Sequence, residues 1–244
     1  MCTVSWILRP DGYDVFFNRD ELRSRRPAEP PRTDERDGVR VLAPRDGDHG
    51  GTWLAVNAHG VTVGMVNGYP PDCPPAPQPG KRSRGLLLLD LATSATTAAV
   101  RARLAEISLA DYAAFTLVAF GRGEPVIAAL WDRVRLTWRP APVTMPLCSS
   151  SHRTAEVEAS RRAVFARCPP AAGSPETWLP AYHAGHVPER GAFSVCMHRD
   201  DAQTVSYSHV VVDAARATFA YQPGPPCEGR APIVAELPLR MSRA

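Results

Sequence analysis

The second residue of the chain is a cysteine, and a cysteine there can supply two reactive groups at once. A small residue after Met1 permits removal of the initiator methionine, after which Cys2 carries a thiol and a free α-amine. An α-amine titrates at about 7.7–8.0, close to cellular pH, so it can act as general base for the neighbouring thiol. One residue then serves as nucleophile and base together.

The residues that follow place a cation beside that thiol. Residues 3–8 and 13–18 are β-rich and flank Arg9-Pro10-Asp11-Gly12, a strong turn signal. If the turn pairs Leu8 with Tyr13, partners have numbers that sum to a constant and Cys2 lies opposite Arg19. Directly opposed side chains share a face, and a guanidinium near a thiol favours the thiolate. Asn18 and Asp20 then face the other way.

Asn18-Arg19-Asp20-Glu21 spells NRDE. With Met1-Cys2 and Gly50-Gly51-Thr52-Trp53, the chain resembles the NRDE family, also called the transport-and-Golgi-organisation-two family. The resemblance runs through most of the chain. Leu147-Cys148-Ser149-Ser150-Ser151 before a helix, and Cys196-Met197-His198-Arg199 before Val205-Ser206-Tyr207, resemble bacterial members.

That resemblance implies an N-terminal nucleophile hydrolase fold, a four-layer αββα sandwich, and distant similarity to choloylglycine and penicillin V acylases. It implies a cysteine amidohydrolase acting on a small amide or peptide-like substrate. Cys2 would be the nucleophile and Arg19 its partner on the second strand. Asp20 is carried over as catalytic, although it directly follows the arginine where the acylases place a residue between. Gly64-Met65-Val66-Asn67-Gly68-Tyr69-Pro70 resembles the segment that holds the acylases' oxyanion asparagine, which makes Asn67 the oxyanion candidate. The second acylase asparagine falls near 149–151, where this chain has serines. Asn18, Trp53, Ser150 and Ser151 are the candidates for lining the substrate site, Trp53 also as a core anchor. The alternative implied by eukaryotic relatives is a non-enzymatic haem carrier on the same scaffold, with Cys2, His183, His186 or His198 on the iron and haem as cofactor. The hydrolase reading needs no cofactor.

Other side chains weigh less. His183 and His186 are close in sequence, and Cys196 and His198 share a face if 193–198 is a strand. Without a third ligand at a recognisable spacing, structural roles are assigned to them and no metal. The arginine-rich segment 19–26 reads as a solvated run.

These residues need a scaffold. The sequence predicts a second hairpin with arms at 53–56 and 61–66, one helix over 85–107, and strands at 115–120, 126–131 and 134–138. A short strand at 145–149, helices at 154–168 and 175–183, and closing strands at 193–198, 204–213 and 217–221 complete the set. Residues 23–49 and 68–84 read as loops, and the tail from Pro223 as irregular. No internal repeat or linker divides the 244 residues, so 1–244 is expected to be one α+β domain.

Composition excludes several classes. Apolar residues make up 44% and charged residues 22%, which is globular rather than disordered. A net charge of +3 is too balanced for nucleic acid as the main partner. Of 28 basic residues only Lys81 is lysine, which with 25 prolines reads as GC-rich coding bias. Six cysteines at wide spacing form no CxxC. The longest apolar stretches fall far short of a membrane span, and Arg9 and Asp11 interrupt any secretory signal. The expectation is a cytoplasmic protein with reduced thiols and a small-molecule partner.

Overall fold

The structure, a computed structural model, describes residues 2–69, 82–167 and 174–240. Met1, Lys81, Cys73, Cys168 and most of the proline-rich loop lie outside the described residues.

Two antiparallel sheets pack face to face. The first has the order β10-β1-β2-β11-β12-β13, built from β1 (Cys2–Arg9), β2 (Gly12–Leu22), β10 (Leu147–Ser149), β11 (Ala202–Val212), β12 (Arg216–Pro223) and β13 (Ile233–Pro238). The second runs β3-β4-β5-β6-β7-β8-β9, from β3 (Glu29–Arg36), β4 (Val39–Arg45), β5 (Leu54–Asn57), β6 (Thr62–Asn67), β7 (Phe115–Phe120), β8 (Ile127–Trp131) and β9 (Leu136–Trp138). Helices α1 (Arg84–Leu91) and α2 (Thr97–Glu106) cover the second sheet; α3 (Thr154–Arg167) and α4 (Pro175–Ala184) cover the first.

Strand alternation builds the layers. In β2, Val15, Phe17 and Arg19 point between the sheets, while Asp14, Phe16, Asn18 and Asp20 point toward α3 and α4. The inter-sheet core joins Val4, Trp6, Val15 and Phe17 to Leu54, Val56, Val66, Val118 and Phe120. On the far side of the second sheet, Val63, Met65 and Leu117 pack on Leu87, Leu88 and Leu91 of α1 and on Val100 and Leu104 of α2. A central strand in such a sandwich is buried on both faces, and β2 is buried from Gly12 to Asp20. The αββα sandwich expected from the family resemblance is the observed fold.

Four local expectations are corrected. Segment 23–49 is not a loop: β3 and β4 form a hairpin with Arg36 opposite Val39. Its turn is Asp37-Gly38, both at positive φ (49° and 71°), the backbone that a two-residue hairpin turn requires. Helix 85–107 is two helices, because Thr96 accepts the Ala99 N–H and starts α2 afresh. The tail is not irregular throughout: β13 adds to β12 as an edge strand, with Ile233 and Val234 exposed. Residues 193–198 make no strand, only a bridge between His198 and Gln203.

Candidate active site

The first hairpin has the register that its turn dictates: Leu8 faces Tyr13 and Cys2 faces Arg19. On either side, Ser149 of β10 pairs with Cys2 and Ser206 of β11 pairs with Arg19. Ser149, Cys2, Arg19 and Ser206 therefore form one row on the inner face of the first sheet. Cys2 is buried, at 7% exposure, and belongs to the inter-sheet core.

Arg19 is fixed from two sides. Its guanidinium hydrogen-bonds the Asp46 carboxylate and lies 4.3 Å from the centroid of the Trp53 ring. Asp46 also takes Arg25 at 2.7 Å and the His49 N–H at 2.9 Å. Burial works against the Asp46 charge, but Arg19, the His49 amide and Arg25 outweigh it and hold the carboxyl below its usual range. Gly50 at positive φ turns the chain between Asp46 and Trp53. The Gly-Gly-Thr-Trp segment thus delivers Trp53 to one side of the guanidinium and Asp46 to the other.

Burial pushes the Cys2 thiol above its ordinary value, and the Asp20 carboxylate adds to that rise. The positive amino end of the chain, an Asp20 backbone hydrogen bond and Arg19 pull the other way. Ser149 Oγ in the row and Trp53 Nε1 beside it are among the buried groups with no hydrogen-bond partner among the described residues.

The opposite face carries a second network. Asp20 is fully buried and forms an ion pair with Arg161 of α3, both contacts at 3.2 Å; Thr204 donates to its other oxygen at 2.7 Å. Arg161 also donates to Thr3 at 2.7 Å. Asn18 gives both amide protons to the carbonyls of His183 (2.8 Å) and Val195 (3.1 Å). Its oxygen therefore accepts from His183 Nδ1 at 3.0 Å, which leaves Nε2 to accept from Ser5 Oγ at 2.8 Å. Burial drives the His183 pKa down to about 3.

This geometry sorts the sequence candidates. Cys2, Arg19 and Trp53 are brought together. Asn18 and Asp20 lie behind β2, their side chains engaged with α3, α4 and β11 instead of the inner face. Asn67 ends β6, which crosses close to β1 and β10, and its amide donates to the Tyr69 hydroxyl at 3.3 Å. Ser150 is tied into the turn before α3, donating to the His152 carbonyl at 2.8 Å and accepting its N–H. Ser151 is half-buried in that turn. It is Ser149, one residue earlier, that stands beside Cys2. His183 has both ring nitrogens occupied and cannot ligate iron in this state.

Two residues have no signal in the sequence. Arg161 reaches Asp20 from 141 positions away. Arg84 donates to the Ala114 carbonyl at 2.7 Å and lies near Tyr69, Glu21 and Cys2; burial lowers its pKa.

The fold is that of the N-terminal nucleophile hydrolases. Penicillin V acylase from Agrobacterium tumefaciens superposes with a TM-score of 0.54 at 11% identity, over 98% of this chain and 86% of the acylase. A cysteine-to-alanine mutant of the conjugated bile acid hydrolase from Clostridium perfringens gives 0.52 at 9% identity, over 98% and 92%. An arginine-to-leucine variant of the same hydrolase gives 0.52 at 10%, over 98% and 97%. No curated protein sequence matches.

The chain belongs to the family described as Transport and Golgi organisation 2, whose model matches residues 1–141. No helix among the described residues is long and apolar enough to cross a membrane.

Proposed function

We propose that the protein is an N-terminal cysteine amidohydrolase that cleaves a small amide or peptide-like substrate. The observation that carries this reading is the pairing of Cys2 with Arg19 on the inner face, with Arg19 held by Asp46 and Trp53. With Met1 removed, the Cys2 amine takes the thiol proton and the thiolate attacks the substrate carbonyl. The C–N bond breaks, the amine returns its proton to the leaving nitrogen, and water hydrolyses the thioester. Arg19 stabilises the thiolate through charge. Asn67, turned from Tyr69, donates to the oxyanion. Arg84, whose hydrogen bond goes to a backbone carbonyl instead of a carboxylate, is the cation placed to meet an acidic group on the substrate. Asp20 acts as a positioning residue, locking β1 and β2 to α3 from behind.

The test is to incubate the purified protein with a panel of N-acyl amides and follow amine release, with mass spectrometry for an acyl adduct. The expected result is turnover of at least one substrate, with an adduct on Cys2 and loss of both signals in Cys2→Ala. Turnover unchanged in Cys2→Ala overturns the reading. The haem-carrier alternative loses His183 as an axial ligand, because both its nitrogens are hydrogen-bonded within the buried layer.

A further inference from the structure

Beside the buried network, four metal-ligating side chains converge from three separate segments. His186 follows α4, Cys196 and His198 sit in the irregular stretch before β11, and Cys227 lies in a 3-10 turn over Pro226–Glu228. One ligand atom from each lies within 4.8 Å of all the others. His198 Nε2 is 3.5 Å from Cys196 Sγ and 3.5 Å from Cys227 Sγ. Zinc–sulfur bonds of about 2.3 Å and zinc–nitrogen bonds of about 2.0 Å give tetrahedral sulfur–nitrogen edges of roughly 3.5 Å, so both observed edges already match. A separation at the 4.8 Å limit must close by about 1–1.5 Å to complete the tetrahedron.

A second observation is independent of that spacing. The Nε2 of His186 is buried and has no hydrogen-bond partner among the described residues. Buried polar atoms are nearly always satisfied, so an orphan on a ring grouped with two thiols and an imidazole points to a missing partner. The His186 and His198 rings stand edge to face, with centroids 5.1 Å apart and planes at 62°.

We propose that His186, Cys196, His198 and Cys227 form a site of two cysteines and two histidines for a divalent metal of zinc type. Two thiolates and two imidazoles suit zinc better than calcium or magnesium, which take oxygen ligands. Each thiol releases its proton to solvent as the metal–sulfur bond forms, which makes the zinc-bound core electrically neutral. Four protein ligands leave no open position, so the metal is structural and takes no part in hydrolysis. Arg190, exposed, contacts His198 Nδ1 at 3.3 Å; once Nε2 binds metal, Nδ1 carries a proton and this contact is released.

The placement gives the site a purpose. Residues 185–198 contain no helix or strand, yet they brace the back of β2. Val195 accepts from Asn18, and the Met197 N–H bonds Thr204, which in turn bonds Asp20. A metal fastening Cys196 and His198 to His186 and Cys227 clamps this irregular segment against the strand that carries Arg19.

The test is to measure metal content of the full-length protein by mass spectrometry, then titrate the metal-free form with cobalt under reducing conditions. The expected result is one zinc per chain and the intense visible absorption of a tetrahedral cobalt thiolate. Cys227→Ser, at the solvent rim, should keep the fold by circular dichroism and weaken cobalt binding by about 100-fold or more, since one of four anchoring bonds is lost. Cys2→Ala should bind cobalt as the wild type does, which separates this outcome from the fate of the hydrolase proposal. A metal-free protein with no tetrahedral cobalt spectrum overturns the proposal. So does wild-type binding in the Cys227→Ser variant, or a Cys196–Cys227 disulfide found under the same reducing conditions.

Discussion

Cys2 and Arg19 face each other across β1 and β2 on the side that looks into the sandwich, and Arg19 is held between Asp46 and the face of Trp53. The cation therefore cannot swing away from the thiol without breaking an ion pair and leaving an aromatic face. Its charge is a permanent part of the Cys2 surroundings.

Removing that charge should slow the thiol. Arg19→Leu is expected to reduce the alkylation rate of Cys2 at neutral pH by about tenfold, the effect of roughly one pKa unit on the thiolate fraction. Arg19→Lys should retain part of the rate. The measurement is a time course of iodoacetamide labelling read by peptide mapping, and equal rates in all three proteins would remove Arg19 from the account.

The Asp20–Arg161 pair predicts a stability effect. Asp20→Ala leaves a buried guanidinium uncompensated and should destabilise the fold by about 3–5 kcal/mol in denaturant titrations. Replacing both members, with Asp20→Leu and Arg161→Met, should recover much of that loss. A single variant as stable as the wild type would show that the pair is not formed.

His183 sets a pH dependence. Its folded pKa is depressed by burial to about 3, while the unfolded chain titrates near about 6.5. Above the unfolded value both states are neutral there and His183 adds no pH dependence. As pH falls below it, the unfolded chain binds a proton that the folded protein refuses, so stability drops by up to roughly 1.4 kcal/mol per pH unit until about pH 3. Denaturation midpoints at pH 7 and 5 should differ more in the wild type than in His183→Gln. Identical pH slopes would contradict the assignment.

Arg84 predicts a charge preference. Iodoacetate, an anion, should label Cys2 faster relative to iodoacetamide than it labels a free cysteine peptide, and Arg84→Ala should abolish that preference. A wild-type ratio matching the free peptide would show that Arg84 does not meet anionic ligands at this site.

Much of this was legible where local chemistry decides geometry. A tight turn at Pro10-Asp11 leaves one register for the first hairpin, and that register alone brings Cys2 to Arg19 and turns Asn18 and Asp20 to the back. The β3–β4 hairpin was hidden because an edge strand keeps its charges: Glu29, Arg32, Asp34 and Arg36 read as a solvated loop although Asp37-Gly38 marks the turn. Strand β13 was obscured for a similar reason, with exposed Ile233 and Val234 on the sheet margin. Arg161, Arg84 and Cys227 could not be found, because each meets its partners only through tertiary folding. Sequence spacing offered His186, Cys196 and His198 only in separate pairs, without the Cys227 that the fold brings to them.

The most direct test of the central claim is an intact mass of the protein purified from cells, before and after brief iodoacetamide treatment at neutral pH, with the labelled peptide mapped. The expected result is loss of Met1 and a single fast label on Cys2, ahead of every other cysteine. Retention of Met1, or a Cys2 no more reactive than the other five cysteines, would contradict an N-terminal nucleophile.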